Sequence, residues 1–259
     1  MKTRNSVRVA YVVVFGFLLI GLLCSTVSAV SLDIKLQPPE IKIGETFRGA
    51  PMSIMATVPP ESLYIIEIKG ESHTHNLLRK GRVAGLWMNV GEIKVQAAPS
   101  MYLALTNKSG PSLDKELGTS FGYASLKKTI HFLGKADKSE RDLLLDQFLK
   151  LKKSQGLYNI FPGAIRVKET GTEGSKIQAN VNLPCNIAPG SYQVVLSVVK
   201  DNKLIEQEIT EFQVKLTGLP KVLSSMAFEQ PLLYGSLAVI IAIVCGFLMG
   251  FIFGGKGAH

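Results

Sequence analysis

Hydrophobic and polar positions divide the chain into two unbroken apolar runs enclosing a long stretch of mixed pattern. The first run, Val9 to Cys24, follows the basic residues Lys2, Arg4 and Arg8 and precedes Val27-Ser28-Ala29. A basic start, an apolar middle and a small-residue cut site make a secretory signal, 1–29, cleaved after Ala29. An uncleaved anchor is the alternative, because Val9 to Val30 is about long enough to span a bilayer. Both readings keep the basic end in the cytoplasm and send the next residues out. The second run, Leu232 to Phe253, carries no charge over 22 residues. As a helix it measures about 33 Å, against about 30 Å of hydrocarbon. Pro231 suits its first position, where a missing N–H costs least. The expected product is a single-pass protein with a tail at 254–259. Gly246, Gly250 and Gly254 fall on one face of this helix and permit close approach of another, either a second copy or a membrane partner.

Between the runs the periodicity changes twice. Residues 32–107 read as strands. Leu32, Ile34 and Leu36 alternate with polar neighbours, and Met52–Val58, Leu63–Ile68, Glu92–Ala97 and Met101–Thr106 are further strand runs. Pro38-Pro39, Pro59-Pro60 and Pro99-Ser100 break them. Near 137 the period becomes helical. Asp137 or Ser139 caps a helix that runs to Gln155, with Leu143, Leu144, Phe148 and Leu151 on its apolar face. Lys150, Lys152 and Lys153 complement its dipole on a solvated face, and Gly156 stops it. Strands return at 163–217. Ile177, Ala179, Val181 and Leu183 alternate, Asp201-Asn202 is a tight turn, and Pro189-Gly190-Ser191-Tyr192 opens a strand as in immunoglobulin-like sandwiches. Tyr192 is expected to bury its ring and send its hydroxyl to a loop backbone.

The expected fold class is therefore mainly β with a helical insert. Two immunoglobulin-like β-sandwich modules, 30–111 and 163–219, flank an insert at 112–162. A juxtamembrane linker at 220–231 leads to a C-terminal transmembrane helix at 232–253. One larger sandwich plus a helix is the alternative. Short connections favour mostly antiparallel pairing.

Composition sharpens this picture. The mean hydropathy of +0.23 is high for a chain of 259 residues, but the two apolar runs supply much of it. The net charge of +9 also shrinks. Setting aside Lys2, Arg4, Arg8 and Lys256 leaves 25 basic against 20 acidic residues, a mildly basic body. Export excludes nucleic acid as a partner. Of three cysteines only Cys185 lies in the body, so no disulfide is expected there and Cys185 reads as a small packed residue.

Candidate chemistry is sparse. His73 and His75 would share a strand face and could hold a metal with a third ligand from Glu67, Glu71 or His131, but solvated histidines in a polar hairpin explain them as well. Arg79-Lys80-Gly81-Arg82 reads as a basic turn, a contact for an anion, anionic headgroups or a partner. Phosphate loops, nucleophile elbows and zinc-binding histidine motifs are missing from the sequence. No cofactor and no enzymatic activity are expected.

Three segments carry a resemblance. Arg79–Asn89, RKGRVAGLWMN, resembles the R-x-R-V-x-G-[IL]-W-[MV]-N segment of a bacterial family of uncharacterised transmembrane proteins described mainly from alphaproteobacteria. Leu151–Tyr158 resembles its L-K-x-x-x-G-L-Y helix end. Phe228–Gly235 resembles its H-x-Q-P-L-L-Y-G entry to the last helix, differing at Phe228. The resemblance implies an exported, membrane-anchored protein of the bacterial inner membrane with a periplasmic body. It also implies association with carriers resembling the TauE/SafE exporters, hence an accessory or interaction role. A ligand- or metal-binding extracytoplasmic module is the alternative. Trp87 and Asn89 become candidate contact residues beside Arg79, Lys80 and Arg82, although a core tryptophan beneath a hairpin would fit Trp87 too.

Overall fold

A computed structural model describes residues 32–60, 62–109, 121–133, 138–171 and 174–253. The signal segment 1–29, Gly254 and the tail lie outside these. Thirteen strands and four helices are described. The strands are β1 (Asp33–Gln37), β2 (Glu40–Ile43), β3 (Ala50–Val58), β4 (Leu63–Gly70), β5 (Ser72–Val83), β6 (Leu86–Pro99), β7 (Tyr102–Thr106), β8 (His131–Leu133), β9 (Tyr158–Phe161), β10 (Ile165–Gly171), β11 (Gly174–Leu183), β12 (Gly190–Lys200) and β13 (Lys203–Leu216). The helices are α1 (Gly122–Thr129), α2 (Lys138–Ser154), α3 (Gly218–Glu229) and α4 (Pro231–Phe253).

Two sheets face each other across the main core. One has the order β1-β3-β11-β10 and the other β2-β13-β12-β4-β7-β9. All pairings are antiparallel except β13 with β2 and β7 with β9. Alternate residues of β3 (Met52, Ile54, Ala56, Val58) and of β11 (Ile177, Ala179, Val181, Leu183) point into this core, as their period of two requires. Ile66 and Ile68 of β4 meet them from the opposite sheet with Val194, Leu196 and Val198 of β12. Tyr192 is buried and its hydroxyl donates to the Ala188 carbonyl at 2.8 Å. Asp201 and Asn202 have φ of 50° and 60°, the double left-handed turn that joins β12 to β13.

This arrangement corrects the two-module expectation. β3 pairs with β11 and β4 with β12, so the stretches 30–111 and 163–219 interleave in both sheets and share one core. Each stretch alone is a small domain with little interior, and interleaving turns two marginal cores into one larger one. The helical segment forms a third layer. α1 and α2 cover the outer face of the second sheet at β4, β7 and β9, where Tyr102, Ala104 and Tyr158 pack against Leu126, Leu145, Phe148 and Leu149. β7 is therefore buried on both faces, which explains its uninterrupted apolar run.

Helix α2 falls where the periodicity places it, but it turns a different face inward. Leu145, Phe148, Leu149 and Lys152 are buried, a stripe at i, i+3, i+4 and i+7, while Leu143 and Leu151 are exposed. Lys152, expected on the solvated face, completes the inner stripe. Gly156 has φ +72°, and the N–H of Leu157 returns to the Lys152 carbonyl at 3.0 Å, closing the helix as expected. Cys185, expected to be packed, is exposed beyond the end of β11.

The segment read as a linker is the helix α3. Its start is tied to the body: Thr217 N–H donates to the Ile43 carbonyl at 2.8 Å and Leu219 N–H to the Glu45 carboxylate at 2.5 Å. α4 follows after Gln230, with Pro231 at its first position. It is exposed along its length and is the one described helix long and apolar enough to cross a membrane.

Candidate functional site

The third sheet, β5-β6-β8, is a long two-stranded arm with a short third strand at its base. The arm continues the ribbon of the second sheet. Lys69 of β4 faces Tyr102 of β7, and three residues on Ser72 faces Pro99. Register also fixes where the arm emerges. Gly70 lies opposite Tyr192, and Gly190 opposite Val214, so the arm leaves the sandwich at the end where β13 finishes. That is also the end from which the chain enters α3 and α4.

Near its base the arm is packed against α2. Val95 is buried in the helical layer, and Leu77 packs on it. A cleft of about 480 Å³ between arm and helix is lined by Leu77, Lys80, Ile93, Leu144 and Phe148. Beyond it both faces of the arm are open. The turn sits at Ala84-Gly85, with φ of 49° and 85°, four residues later than the basic turn expected at Arg79–Arg82. A two-residue hairpin needs φ above zero at both central positions, and Gly85 supplies one of them without strain. Arg79, Lys80 and Arg82 therefore lie on β5 itself.

The tip is two-faced. Val83, Leu86, Met88 and Val90 share one side by their spacing, with Gly81 beneath Val90. Lys80, Arg82, Trp87 and Asn89 share the other. Arg82 pairs across the strands with Trp87, its guanidinium carbon 5.8 Å from the ring centroid. Trp87 and Leu86 are each 69% exposed, so Trp87 is not a core residue beneath a hairpin. A solvent-facing position completes the corrected assignment. Asn89 is exposed opposite Lys80.

The histidines have a different fate. Among the described residues no group of three or more His, Cys, Asp or Glu could hold a metal ion. His73 is exposed. His75 lies against α2, its Nε2 3.3 Å from Lys152 Nζ and its ring 5.8 Å from that of Phe148. Burial lowers the His75 pKa, and the Lys152 and His73 charges lower it further. An ammonium beside the imidazole also opposes a bound cation. Lys152 in turn is held below its ordinary pKa by burial, with the Phe148 and Tyr158 rings 5.6 and 6.0 Å from its nitrogen.

Glu67, expected only as a third metal ligand for the histidines, is a second buried polar group with other partners. Glu67 is 2% exposed on β4. Its carboxylate accepts a short hydrogen bond from the Tyr102 hydroxyl and pairs with Lys69 at 2.8 Å. Burial, then the neighbouring carboxylate, raises the Tyr102 pKa. The one hint in the sequence is an acidic residue inside an apolar strand run. With both oxygens engaged, this network ties β4 to its neighbour β7 beneath the helical layer. A cleft of about 620 Å³ opens beside it, lined by Lys69, Glu71, Ser125, Thr129 and Ser191, where Glu71 accepts the Ser191 N–H at 2.9 Å.

On the last helix, a Cβ added at Gly246 or Gly250 would meet nothing within 4 Å. Gly254 lies outside the described residues.

These features define a β-rich body with one candidate membrane helix among the described residues. The chain belongs to the Alph_Pro_TM family, described as "putative transmembrane protein", whose sequence model matches residues 31–254. No curated protein matches the chain. Among solved structures it is similar to domain 1 of VCBP3 from Branchiostoma floridae, at 9% identity and a TM-score of 0.21, covering 73% of this chain and 98% of that one.

Proposed function

We propose that the protein is a non-enzymatic accessory protein, anchored in the bacterial inner membrane with its body in the periplasm, that serves another membrane protein. A carrier is the partner to which the family resemblance points. The supporting observation is the state of α4. It is apolar all round, and Gly246 and Gly250, one turn apart on one face, have no atom of the described residues within 4 Å of an added Cβ. Glycine is common in membrane helices, but two on one face also permit the close helix contact that a partner requires. Tyr192, with its buried ring and its bond to Ala188, supports an immunoglobulin-like reading of the sandwich. The metal-binding reading of His73 and His75 has less support, because Lys152 occupies the surroundings of His75.

Purification of the full chain from native membranes in mild detergent tests the proposal. One membrane protein is expected to co-purify, and Gly246→Leu with Gly250→Leu is expected to release it. Recovery of the chain alone, unchanged by those substitutions, overturns the proposal. A change from dimer to monomer on substitution assigns the glycine face to a second copy instead.

A further inference from the structure

We infer that the tip of the β5–β6 arm seats in the interfacial layer of the same bilayer that α4 crosses, with its basic face toward anionic headgroups. The inference rests on the anchoring of α4 in a membrane but not on the identity of any partner.

Three independent observations converge. The first is the chemistry of the tip. One side of the ribbon carries Val83, Leu86, Met88 and Val90, with Arg79 on the same side farther from the turn; the other carries Lys80, Arg82 and Trp87, with Leu78 farther from the turn. Between Arg79 and Gly91 there are three basic residues and no acidic one. An apolar surface suits the acyl boundary, tryptophan prefers the interface, and cations are drawn to anionic lipid. Val83, Leu86, Trp87, Met88 and Val90 are 46–69% exposed within eight residues, the densest run of exposed apolar side chains on the described strands.

Position supplies the second observation. The arm leaves the sandwich at the end from which the chain leaves for α3 and α4. The twelve residues of β5 reach about 40 Å. The twelve residues of α3 separate body from membrane by at most about 18 Å. The arm's reach therefore exceeds the gap it must cover.

The third observation is α3 itself. Leu219, Val222, Leu223 and Met226 form a stripe at i, i+3, i+4 and i+7, and no residue of α3 is buried. Lys221, Ser224 and Ser225 lie off that stripe. A short amphipathic helix next to a membrane span, with its apolar stripe uncovered, has the form of an interfacial helix. Seated arm and seated α3 would hold the body at two separated points besides the span.

Trp87 is the only tryptophan in the chain, so its fluorescence reports the tip directly. The full chain is reconstituted into vesicles of phosphatidylcholine, with or without phosphatidylglycerol, using plain or brominated acyl chains. The expected result is strong quenching by brominated lipid, protection from aqueous acrylamide, and a larger effect with phosphatidylglycerol. Lys80→Glu or Arg82→Glu is expected to lower the ratio of seated to lifted tip roughly fivefold or more, corresponding to ~1 kcal/mol per basic residue removed. Leu86→Gln with Met88→Gln should lower it at any lipid composition. These side chains are exposed, so an unchanged thermal transition confirms that each variant folds. Free acrylamide access with no brominated-lipid quenching overturns the inference. So does a tip that is open in pure vesicles but shielded in native membranes, which assigns it to a protein. Equal quenching with and without phosphatidylglycerol overturns the headgroup part. None of these readouts depends on Gly246 or Gly250, so the partner proposal stands or falls separately.

Discussion

Lys152 shows how one residue can join an apolar stripe without being apolar. Its stem fills the position one turn beyond Phe148 and Leu149, and its nitrogen ends between two aromatic rings and His75. Replacing it by methionine keeps the stem and removes the charge. Stability at neutral pH is expected to be unchanged or raised, and the His75 pKa to rise part of the way back toward about 6.5, because burial still depresses it. NMR titration of His75 in both proteins checks this. The pH dependence has a definite sign. Folded His75 binds its proton more weakly than unfolded His75, so between the lowered pKa and about 6.5 the unfolded chain holds more protons. His75 thus contributes stability that is present above about 6.5 and lost as pH falls toward the lowered value. Chemical denaturation across that window should show the loss, with a smaller loss in Lys152→Met. Glu67 makes the opposite kind of case. Tyr102→Phe leaves one oxygen of a buried carboxylate without its donor and should cost about 1–3 kcal/mol in denaturation experiments. An unchanged midpoint would show that water replaces the hydroxyl.

Elements tell how far pattern carries. Ile177, Ala179, Val181 and Leu183 alternate cleanly because β11 is covered on one face, and all four enter the core. Leu63–Ile68 read as a strand for the opposite reason, being covered on both faces, yet a strand of that kind does not reveal its neighbours. Pairing of β3 with β11 joins residues that the chain keeps far apart, and local periodicity holds no record of it. The face of α2 was misjudged because Leu143 and Leu151 are as apolar as Leu145 and Leu149, and the rotation is set by a lysine. At the candidate site, the basic and aromatic residues were legible, but their exposure was not. Trp87 next to alternating apolar residues looks the same whether or not a second layer covers it. The expected turn falls four residues early because Gly81 resembles a turn glycine, whereas it serves to admit Val90: a Cβ there would lie 2.8 Å from a Val90 methyl. At the true turn, Ala84 holds φ 49°. Asparagine tolerates that region better, so Ala84→Asn should stabilise the arm by roughly 0.5–1 kcal/mol, visible as slower amide exchange in β5 and β6. Faster exchange would argue against the turn geometry.

At the scale of the whole molecule, body and span are joined with little slack. Glu45 and Ile43 hold the start of α3, and only Gln230 separates α3 from α4. The cysteines allow the orientation to be read. Cys185 is exposed on the body and Cys245 lies within the apolar helix. A membrane-impermeant maleimide added to cells with a permeabilised outer membrane should label Cys185 and spare Cys245. Cys185→Ser should abolish the labelling. Labelling only after the inner membrane is broken would place the body on the cytoplasmic side.

The interleaving of the sheets also sets a timetable. The strand β3 has β11 as its neighbour, and β4 has β12, so the first seven strands cannot complete the core when they are made. Their edges stay open until nearly two hundred residues have been synthesised, a high-contact-order topology that folds slowly and is prone to edge-to-edge association meanwhile. The last strand, β13, is complete at Leu216, only fifteen residues before α4 begins at Pro231. Completion of the body's last strand and synthesis of the candidate membrane helix thus fall almost together. A nascent chain interrupted before β11 is expected to leave the inner face of β3 uncovered and to aggregate more readily than the full chain.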